Sequence, residues 1–254
     1  KKKKKPDFFV PEGSTPGQTL AALCVEGLRG LDLQNNTEYV DRLKYEVNVI
    51  EERGFSKYFL TMKAIADMAV DRQLVGPGRG SAAGSLVSYV MGITQVDPIK
   101  YGLQFERFLT KGGSGYPDID YDVSDPMLLK EHLIDEWGDN VVVPITNWNT
   151  LQLRSLIKDI SKFYGIEFTE VNNVTSKMVH EATPLAKKAH GITAGVYAPT
   201  FEELMLYSET LQKFLEKYPH IKTHVEKLYG QTRSASRHAG GVVVGERLDE
   251  WMPL

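Results

Sequence analysis

Residues 117–123 read Pro-Asp-Ile-Asp-Tyr-Asp-Val, and this short stretch is the most informative part of the sequence about both the fold and the chemistry. Polar and apolar residues alternate along it, as in a β-strand with one exposed face. Side chains two and four positions apart on a strand share a face, so Asp118, Asp120 and Asp122 are expected to stand together. Neighbouring carboxylates repel one another without a cation, and their hard oxygen atoms suit Mg²⁺. Two such ions can support phosphoryl transfer, so the stretch predicts a metal site.

Two other structures share this acidic pattern. A calcium-binding EF-hand also begins Asp-x-Asp-x-Asp, but it requires Gly at the sixth position and Glu at the twelfth. Val123 and Leu129 stand there instead, which excludes that motif. A solvated edge strand whose acidic residues discourage aggregation stays open as the alternative.

A glycine-rich loop precedes the acidic stretch. Residues 75–81 read Val-Gly-Pro-Gly-Arg-Gly-Ser and lead into residues 82–91, which are predicted to form a helix of small residues. Backbone N–H groups at the start of a helix can bind an anion, and small residues let phosphate oxygens approach closely. No Gly-Lys-Ser/Thr follows, so the loop is not a P-loop, and Ala83 breaks the dinucleotide fingerprint. A tight turn beside a closely packed helix is the open alternative.

Two further residues are candidates for contact with a nucleotide. Arg107 lies within Phe105-Glu-Arg-Phe-Leu109, where it forms either a surface ion pair or a clamp for phosphate oxygens. His238 precedes two glycines and either contacts a phosphate or base or caps a strand.

The order of predicted elements indicates a mixed α/β fold. Helices are expected from about Thr19 and over 39–52, 58–73 and 127–137, with strands at 117–123, 141–145 and 241–244. Residues 150–230 are predicted to be mostly helical, with breaks at Gly165, Pro184, Gly191–Gly195 and Pro199. This helical stretch is inserted before the last strand, which makes it a candidate second subdomain.

Composition narrows the class of protein. The 254 residues carry a formal net charge of −3, so any role with nucleic acid must rest on local basic patches. The single cysteine, Cys24, excludes an internal disulfide and has the apolar neighbours of a buried structural thiol. No apolar run approaches the roughly 20 residues needed to cross a membrane.

Several further blocks of the sequence are informative together. They are Arg42-Leu-Lys-Tyr-Glu-Val-Asn-Val-Ile50, Gly54-Phe55, Tyr58-Phe59-Leu60, Val75-Gly-Pro-Gly-Arg-Gly-Ser-Ala-Ala-Gly-Ser-Leu-Val87, Gly92-Ile-Thr94, Asp97-Pro98, Tyr101-Gly-Leu103, Phe105-Glu-Arg-Phe-Leu109, Pro117-Asp-Ile-Asp-Tyr-Asp122 and Arg237-His-Ala-Gly-Gly-Val-Val243. These blocks closely resemble one family, the alpha subunits of bacterial DNA polymerase III, which are C-family replicative polymerases. The order and spacing of the blocks both match, strongly over 39–122 and 233–245 and weakly between.

This resemblance implies an α/β (α+β) fold: a polymerase-beta-like nucleotidyltransferase palm with a mixed sheet and an inserted helical thumb. The implied division is a lead-in over 1–36, the first part of the palm over 37–149, the thumb over 150–232 and a returning palm strand over 233–254. The implied reaction is attack of a primer 3′-hydroxyl on the α-phosphate of a dNTP, with release of pyrophosphate, in the cytoplasm of a bacterium or a phage-infected bacterium.

The resemblance also implies roles for individual residues. Asp118 and Asp120 match the two catalytic, metal-binding aspartates that hold two Mg²⁺ ions, and Asp122 is the next acid on that face. The expected nucleotide-binding residues are Arg79, Gly80, Ser81, Arg107 and His238. The expected contacts to primer-template DNA come from the helical stretch and the strand after it, at Lys158, Lys162, Arg233 and Arg237, among other basic residues.

Departures from the family pattern lead to further expectations. In place of the family's long N-terminal domain, a short lead-in is expected here, and the third catalytic aspartate and the fingers are expected beyond Leu254, in a missing segment or a second chain. The leading hypothesis is therefore a palm–thumb piece that needs a further segment to be active, as in a split polymerase. The alternatives are a non-catalytic DNA-binding or partner-binding module that keeps the palm scaffold, and a small stand-alone nucleotidyltransferase.

Overall fold

The computed structural model describes residues 10–252, and these fall into two compact units. The first unit takes in the described residues up to Ile145 and those from His238 onward, and the second is Thr146–Arg237. Residues 1–9 of the predicted lead-in, and residues 253 and 254 of the predicted returning strand, lie outside the described range. The helices are α1 Pro16–Gly30, α2 Thr37–Glu52, α3 Ser56–Val70, α4 Leu86–Val90, α5 Pro126–Trp137, α6 Leu153–Phe163, α7 Phe168–Ala189, α8 Phe201–Tyr207, α9 Glu209–Lys217 and α10 Pro219–Leu228; the strands are β1 Val142–Thr150 and β2 Thr232–Val244.

Helix α1 shows how local sequence sets an element and its buried face. Thr15 and Gln18 form a reciprocal capping box at its start, and Pro16 occupies the first helical position. Leu20, Cys24 and Leu28 recur every fourth residue and are buried in the main core of the first unit. The prediction that Cys24 is a buried thiol is therefore confirmed. Helix α1 lies within residues 1–36, the stretch predicted to be a lead-in.

Helices α2 and α3 confirm the helices predicted over 39–52 and 58–73. Asn36 caps α2 by accepting from the Glu38 backbone N–H. Apolar side chains of both helices are fully buried, among them Ile50 and Phe59. They share a core with Ala82, which follows the glycine-rich loop, and with Ile119 of the acidic stretch.

The helix predicted over 82–91 is interrupted. A 3₁₀ turn covers Ser81–Gly84, and α4 begins only after Ser85, whose backbone is extended (φ −95°, ψ 120°). The Ser85 hydroxyl accepts from the Ser88 N–H and so caps α4. A pattern of small residues does not show where such a cap divides a helix.

The strand predicted over 117–123 does not form in the structure. Residues 117–122 belong to no strand, and the bridge found in this segment, among the described residues, joins Val123 to Val75 in antiparallel fashion. An alternating pattern fixes which side chains share a face, yet a ladder also requires a partner strand.

Strands β1 and β2 pair with each other and extend the predictions at 141–145 and 241–244. The Gly245 N–H donates to Val141, and the Leu151 N–H donates to Gln231, so the register is antiparallel. The described residues thus form one two-stranded sheet and ten α-helices, a mixed α/β fold as predicted.

Helices α6–α10 make up the second unit around a separate core. Pro184 was predicted to break the helical stretch, but it lies inside α7. Met178, Ala182 and Ala186 continue the buried stripe through this point. Their burial outweighs the hydrogen bond that proline cannot donate. Within residues 10–252, no helix is both long and apolar enough to cross a membrane.

Candidate functional site

The acidic segment keeps the alternation that its sequence predicts. Pro117 and Ile119 are buried, whereas Asp118 and Asp122 are exposed and Asp120 is half-buried. The three carboxyl groups therefore belong to the more exposed positions of one segment of the first unit.

Hydrogen bonds take the place of a strand ladder along this segment. The Ile119 N–H, between Asp118 and Asp120, donates to the Tyr58 hydroxyl over 3.1 Å. The Gly76 N–H donates to the Asp122 carbonyl over 2.8 Å. Contacts from α3 on one side and from the glycine-rich loop on the other thus fix the acidic segment.

The pKa of the Tyr58 phenol depends on the negative charges near it. Burial raises the pKa of the Tyr58 phenol, the Ile119 N–H lowers it, and the negative charges of Asp118 and Asp120 raise it further. Both carboxylates therefore lie close enough to act on the same hydroxyl group.

The glycine-rich loop comes into contact with Asp120. Gly80 has φ +63° and ψ −160°, a conformation essentially restricted to glycine. A Cβ atom added to Gly80 would lie 2.9 Å from Oδ2 of Asp120. The loop can pass this carboxylate closely only because residue 80 has no side chain.

Arg79 pairs with two of the three acids. Its Nη2 lies 3.2 Å from Oδ1 of Asp120, and its Nε lies 3.2 Å from Oδ1 of Asp122. The Arg79 side chain is 60% exposed, so each pair contributes about 0–1 kcal/mol at most. Asp118 has no hydrogen-bond or ion-pair partner among residues 10–252. Arg79 therefore balances part of the negative charge in a form that a bound cation can replace.

The donor set fits a magnesium ion in chemical terms. No group of three or more His, Cys, Asp or Glu side chains in the described part of the chain is arranged to hold a metal. Mg²⁺ is commonly held by one or two carboxylates together with substrate phosphates, however, and Asp118 and Asp120 supply two. Their assignment as metal ligands remains a prediction.

A cavity of about 680 Å³ opens beside the glycine-rich loop, within the range of small-molecule sites. One wall is the turn from Gly80 to Gly84, and the other comes from the segment around Leu103. Three residues predicted to bind nucleotide, Gly80, Ser81 and Arg107, line the cavity together. Its full lining is Gly80, Ser81, Ala83, Gly84, Gly102, Leu103, Gln104 and Arg107.

The start of α4 does not serve as the expected anion site. The Leu86 and Val87 N–H groups each donate to the Glu46 carboxylate over 3.0 Å, and the Ser88 N–H donates to the Ser85 hydroxyl. The Glu46 carboxylate already takes the Leu86 and Val87 donors, so these N–H groups are not available to a phosphate.

Sequence reasoning gave no role to Glu46 or to its partner Arg42. Glu46 is fully buried, and Nε of Arg42 lies 2.7 Å from its Oε1. Burial raises the pKa of Glu46, while the N–H donors of Leu86 and Val87 and the Arg42 guanidinium oppose that rise. The available signal was the helical spacing of α2, which places this one acid on the same buried face as Leu43, Val47 and Ile50.

His238 lies in the first unit, and its hydrogen bonds differ from those of the other predicted nucleotide-binding residues. Its Nδ1 accepts from the Gly240 and Gly241 N–H groups, and its carbonyl accepts from Nζ of Lys130 over 3.0 Å. None of the hydrogen bonds found for His238 among residues 10–252 reaches the glycine-rich loop. The structure therefore brings Asp120, Arg79, Gly80, Ser81 and Arg107 into one region without linking His238 to it.

The predicted DNA-binding residues all belong to the second unit. Lys158 donates to Asn172 over 2.8 Å, and Arg233 lies 3.3 Å from Asp159. Lys162 and Arg237 are exposed and have no hydrogen-bond or ion-pair partner within residues 10–252. The latter two keep their charges available for a ligand.

Known proteins match almost the whole chain. The family described as "Bacterial DNA polymerase III alpha NTPase domain" matches residues 18–254. Relatives named DNA polymerase III subunit alpha are 32% identical over 253 residues in Staphylococcus epidermidis, 34% over 256 in Bacillus subtilis and 34% over 270 in Aquifex aeolicus. Each comparison covers 98% of this chain but only 22–23% of the length of the relative. The chain belongs to the bacterial DNA polymerase III alpha family.

Proposed function

We propose that this chain is the part of a DNA-directed DNA polymerase that holds the incoming dNTP beside the primer terminus. In this proposal, residues 37–149 and 233–254 form a polymerase-beta-like palm, and residues 150–232 form a thumb that contacts primer-template DNA. A further segment or second chain, carrying the fingers and a third aspartate, completes the active site. The polymerase acts in the cytoplasm of a bacterium or of a phage-infected bacterium.

The observation that carries the proposal is the closeness of Gly80 and Asp120. Gly80 belongs at once to the wall of the cavity and to the surroundings of Asp120, since a Cβ on it would lie 2.9 Å from Oδ2 of that carboxylate. A triphosphate seated on the turn from Gly80 to Gly84 would therefore lie near the Asp120 carboxylate. Nucleotidyl transfer requires this neighbourhood of phosphates and metal-binding acids.

Each residue has a chemical task in this arrangement. The turn after Gly80 offers space and polar groups to phosphate oxygens, and the Ser81 hydroxyl can donate to one of them. The planar Arg107 guanidinium suits phosphate oxygens and adds positive charge to the cavity. Arg79 can exchange its pairs with Asp120 and Asp122 for the phosphates.

Asp118 and Asp120 would hold Mg²⁺, which when bound supplies positive charge that favours attack by the primer 3′-hydroxyl on the α-phosphate and departure of pyrophosphate. The relatives' printed names support the proposal, because their similarity to this chain extends through all of these residues.

Nucleotide binding by the chain itself tests the proposal. We expect Mg²⁺ to strengthen the binding of dATP to the wild-type chain, and Asp120→Asn to remove that dependence on Mg²⁺. Asp135→Asn makes the same charge change at an exposed position of α5 and should bind dATP as the wild type does.

The outcomes separate the competing functions. Equal Mg²⁺ dependence in wild type and Asp120→Asn would contradict the metal assignment. Binding of primer-template DNA without any binding of dATP would favour a non-catalytic DNA-binding module. Transfer of nucleotides to a primer by the chain alone, without a template, would favour a stand-alone nucleotidyltransferase.

A further inference from the structure

A buried ion pair lies behind the cavity. The Glu46 side chain is fully inaccessible, and Arg42 precedes it by one turn of α2. A buried carboxylate is tolerated when each oxygen has donors. Oε1 of Glu46 accepts from Arg42 and from the Leu86 N–H, and Oε2 accepts from the Ser85 hydroxyl and the Val87 N–H. Glu46 thereby fixes the end of the first cavity wall.

Arg42 extends the same network to the second wall. Its Nη2 donates to the Gly84 carbonyl over 2.9 Å and to the Leu103 carbonyl over 3.2 Å. Gly84 and Leu103 both line the cavity and belong to its two different wall segments. One guanidinium group therefore ties the two walls together from behind.

The two walls are also in direct contact at this point. A Cβ atom added to Gly84 would lie 2.7 Å from the Gln104 carbonyl oxygen, so the backbones pass each other closely. Buried carbonyl oxygens need donors, and those of Gly84 and Leu103 share one. Arg42 is that donor, and Glu46 holds the guanidinium in place.

We infer that Arg42 and Glu46 are a positioning pair for nucleotide binding: they set the separation of the Gly80–Gly84 turn from the Leu103–Arg107 segment and thereby the fit of a triphosphate. The inference rests on the proposed function, because it takes the ligand of the cavity to be a dNTP. The pair acts through the backbone, and it lines neither the cavity nor the acidic segment.

Substitution of Arg42 tests this role through two affinities measured on the same protein. Lysine keeps the charge, but its single ammonium group cannot reproduce the planar fork that reaches Glu46, Gly84 and Leu103. We expect Arg42→Lys to weaken dATP binding about tenfold in the presence of Mg²⁺, and Arg42→Met to weaken it more. Binding of Mg²⁺ alone, which depends on Asp118 and Asp120, should stay within twofold of wild type. Arg29→Lys, at an exposed site in α1, is the matched control.

The results distinguish failure of this inference from failure of the proposed function. If the wild-type chain does not bind dATP, the proposed function fails and the inference with it. If the wild type binds but both Arg42 variants bind equally well, only the inference is overturned. Equal loss of Mg²⁺ and dATP binding would also overturn it, since that result indicates general loosening of the unit.

A measurement on the wild-type chain tests the same inference without variants, which could fail to fold. The Leu86 and Val87 N–H groups contact Glu46 and lie outside the cavity lining. We expect their hydrogen exchange to slow when Mg²⁺ and dATP are added. Slower exchange confined to residues 80–84, with no change at Leu86 and Val87, would show that the pair is not coupled to the ligand.

Discussion

At the scale of single residues, Gly80 is the position where conformation and chemistry depend most on one another. Its backbone lies in a region that other residues reach at a cost of about 1–3 kcal/mol, and an added Cβ would crowd Asp120. We expect Gly80→Ala to lower the stability of the first unit by that amount and to weaken Mg²⁺-dependent dATP binding. Thermal unfolding and equilibrium titration measure the two effects.

Gly92→Ala provides the control for backbone strain. Gly92 also has a positive φ of 72°, but no atom lies within 4 Å of where its Cβ would be. The Gly92→Ala variant should be less stable than wild type and should keep the wild-type affinity for dATP. If both glycine variants lost affinity equally, strain alone would explain the result at Gly80.

Tyr58 shows how one hydroxyl group can replace a strand partner. Because the Ile119 N–H donates to it, Tyr58→Phe leaves that donor without its acceptor at a cost of about 1–3 kcal/mol. We expect weaker binding of Mg²⁺, since the backbone between Asp118 and Asp120 loses its anchor. Tyr39→Phe removes a hydroxyl that donates to Asp97 in the same unit and should leave Mg²⁺ affinity unchanged. Unchanged affinity in Tyr58→Phe would contradict the anchoring role.

At the scale of elements, Glu181 of α7 holds the start of α9. Its carboxylate accepts from the Ser208 hydroxyl over 2.7 Å, from the Thr210 N–H over 3.1 Å and from the Thr210 hydroxyl. The Thr210 hydroxyl, followed by Ser208 and the Thr210 N–H, lowers the pKa of Glu181 below its usual range. A carboxyl group with a depressed pKa stabilises the folded state above the ordinary carboxyl pKa, and this contribution is lost as pH falls through the depressed value.

We therefore expect Glu181→Gln to reduce the acid sensitivity of the second unit. Thermal unfolding between pH 7 and pH 3 should show a smaller loss of stability in this variant than in wild type. Glu216→Gln, at an exposed site in α9, should retain the wild-type dependence on pH. Identical pH profiles for wild type and Glu181→Gln would refute the assignment.

The elements also show what the sequence can predict. Periodicity located α2 and α3 because their apolar stripes are long and regular, and alternation identified the exposed face that carries Asp118 and Asp120. The sequence could not show that residues 117–122 lack a strand partner, or that α4 begins only after Ser85. Those outcomes depend on distant groups, the loop at Val75 in one case and the Glu46 carboxylate in the other. Glu46 itself was recognisable only as a charged residue within an apolar stripe.

At the scale of the whole molecule, the proposed DNA contacts should depend strongly on salt. Lys162 and Arg237 are exposed and unpaired within residues 10–252, and each phosphate contact contributes about 0.9 to the slope of log affinity against log salt concentration. We expect the double variant Lys162→Gln with Arg237→Gln to reduce that slope by about 2 on primer-template DNA.

Lys213→Gln is the matched control for this measurement, because Nζ of Lys213 already lies 2.6 Å from Glu209. For this variant, the slope of log affinity against log salt concentration should equal that of the wild type. An unchanged slope in the double variant would show that these two residues do not contact the DNA phosphates.

The most direct test of the central claim, that Asp118 and Asp120 beside the Gly80–Ser81 turn support nucleotidyl transfer, is primer extension in Mg²⁺ by this chain together with the remaining segments of the polymerase. We expect Asp120→Asn to abolish extension while thermal unfolding stays unchanged, and Asp135→Asn to extend primers at the wild-type rate. Extension at the wild-type rate by Asp120→Asn would contradict the central claim.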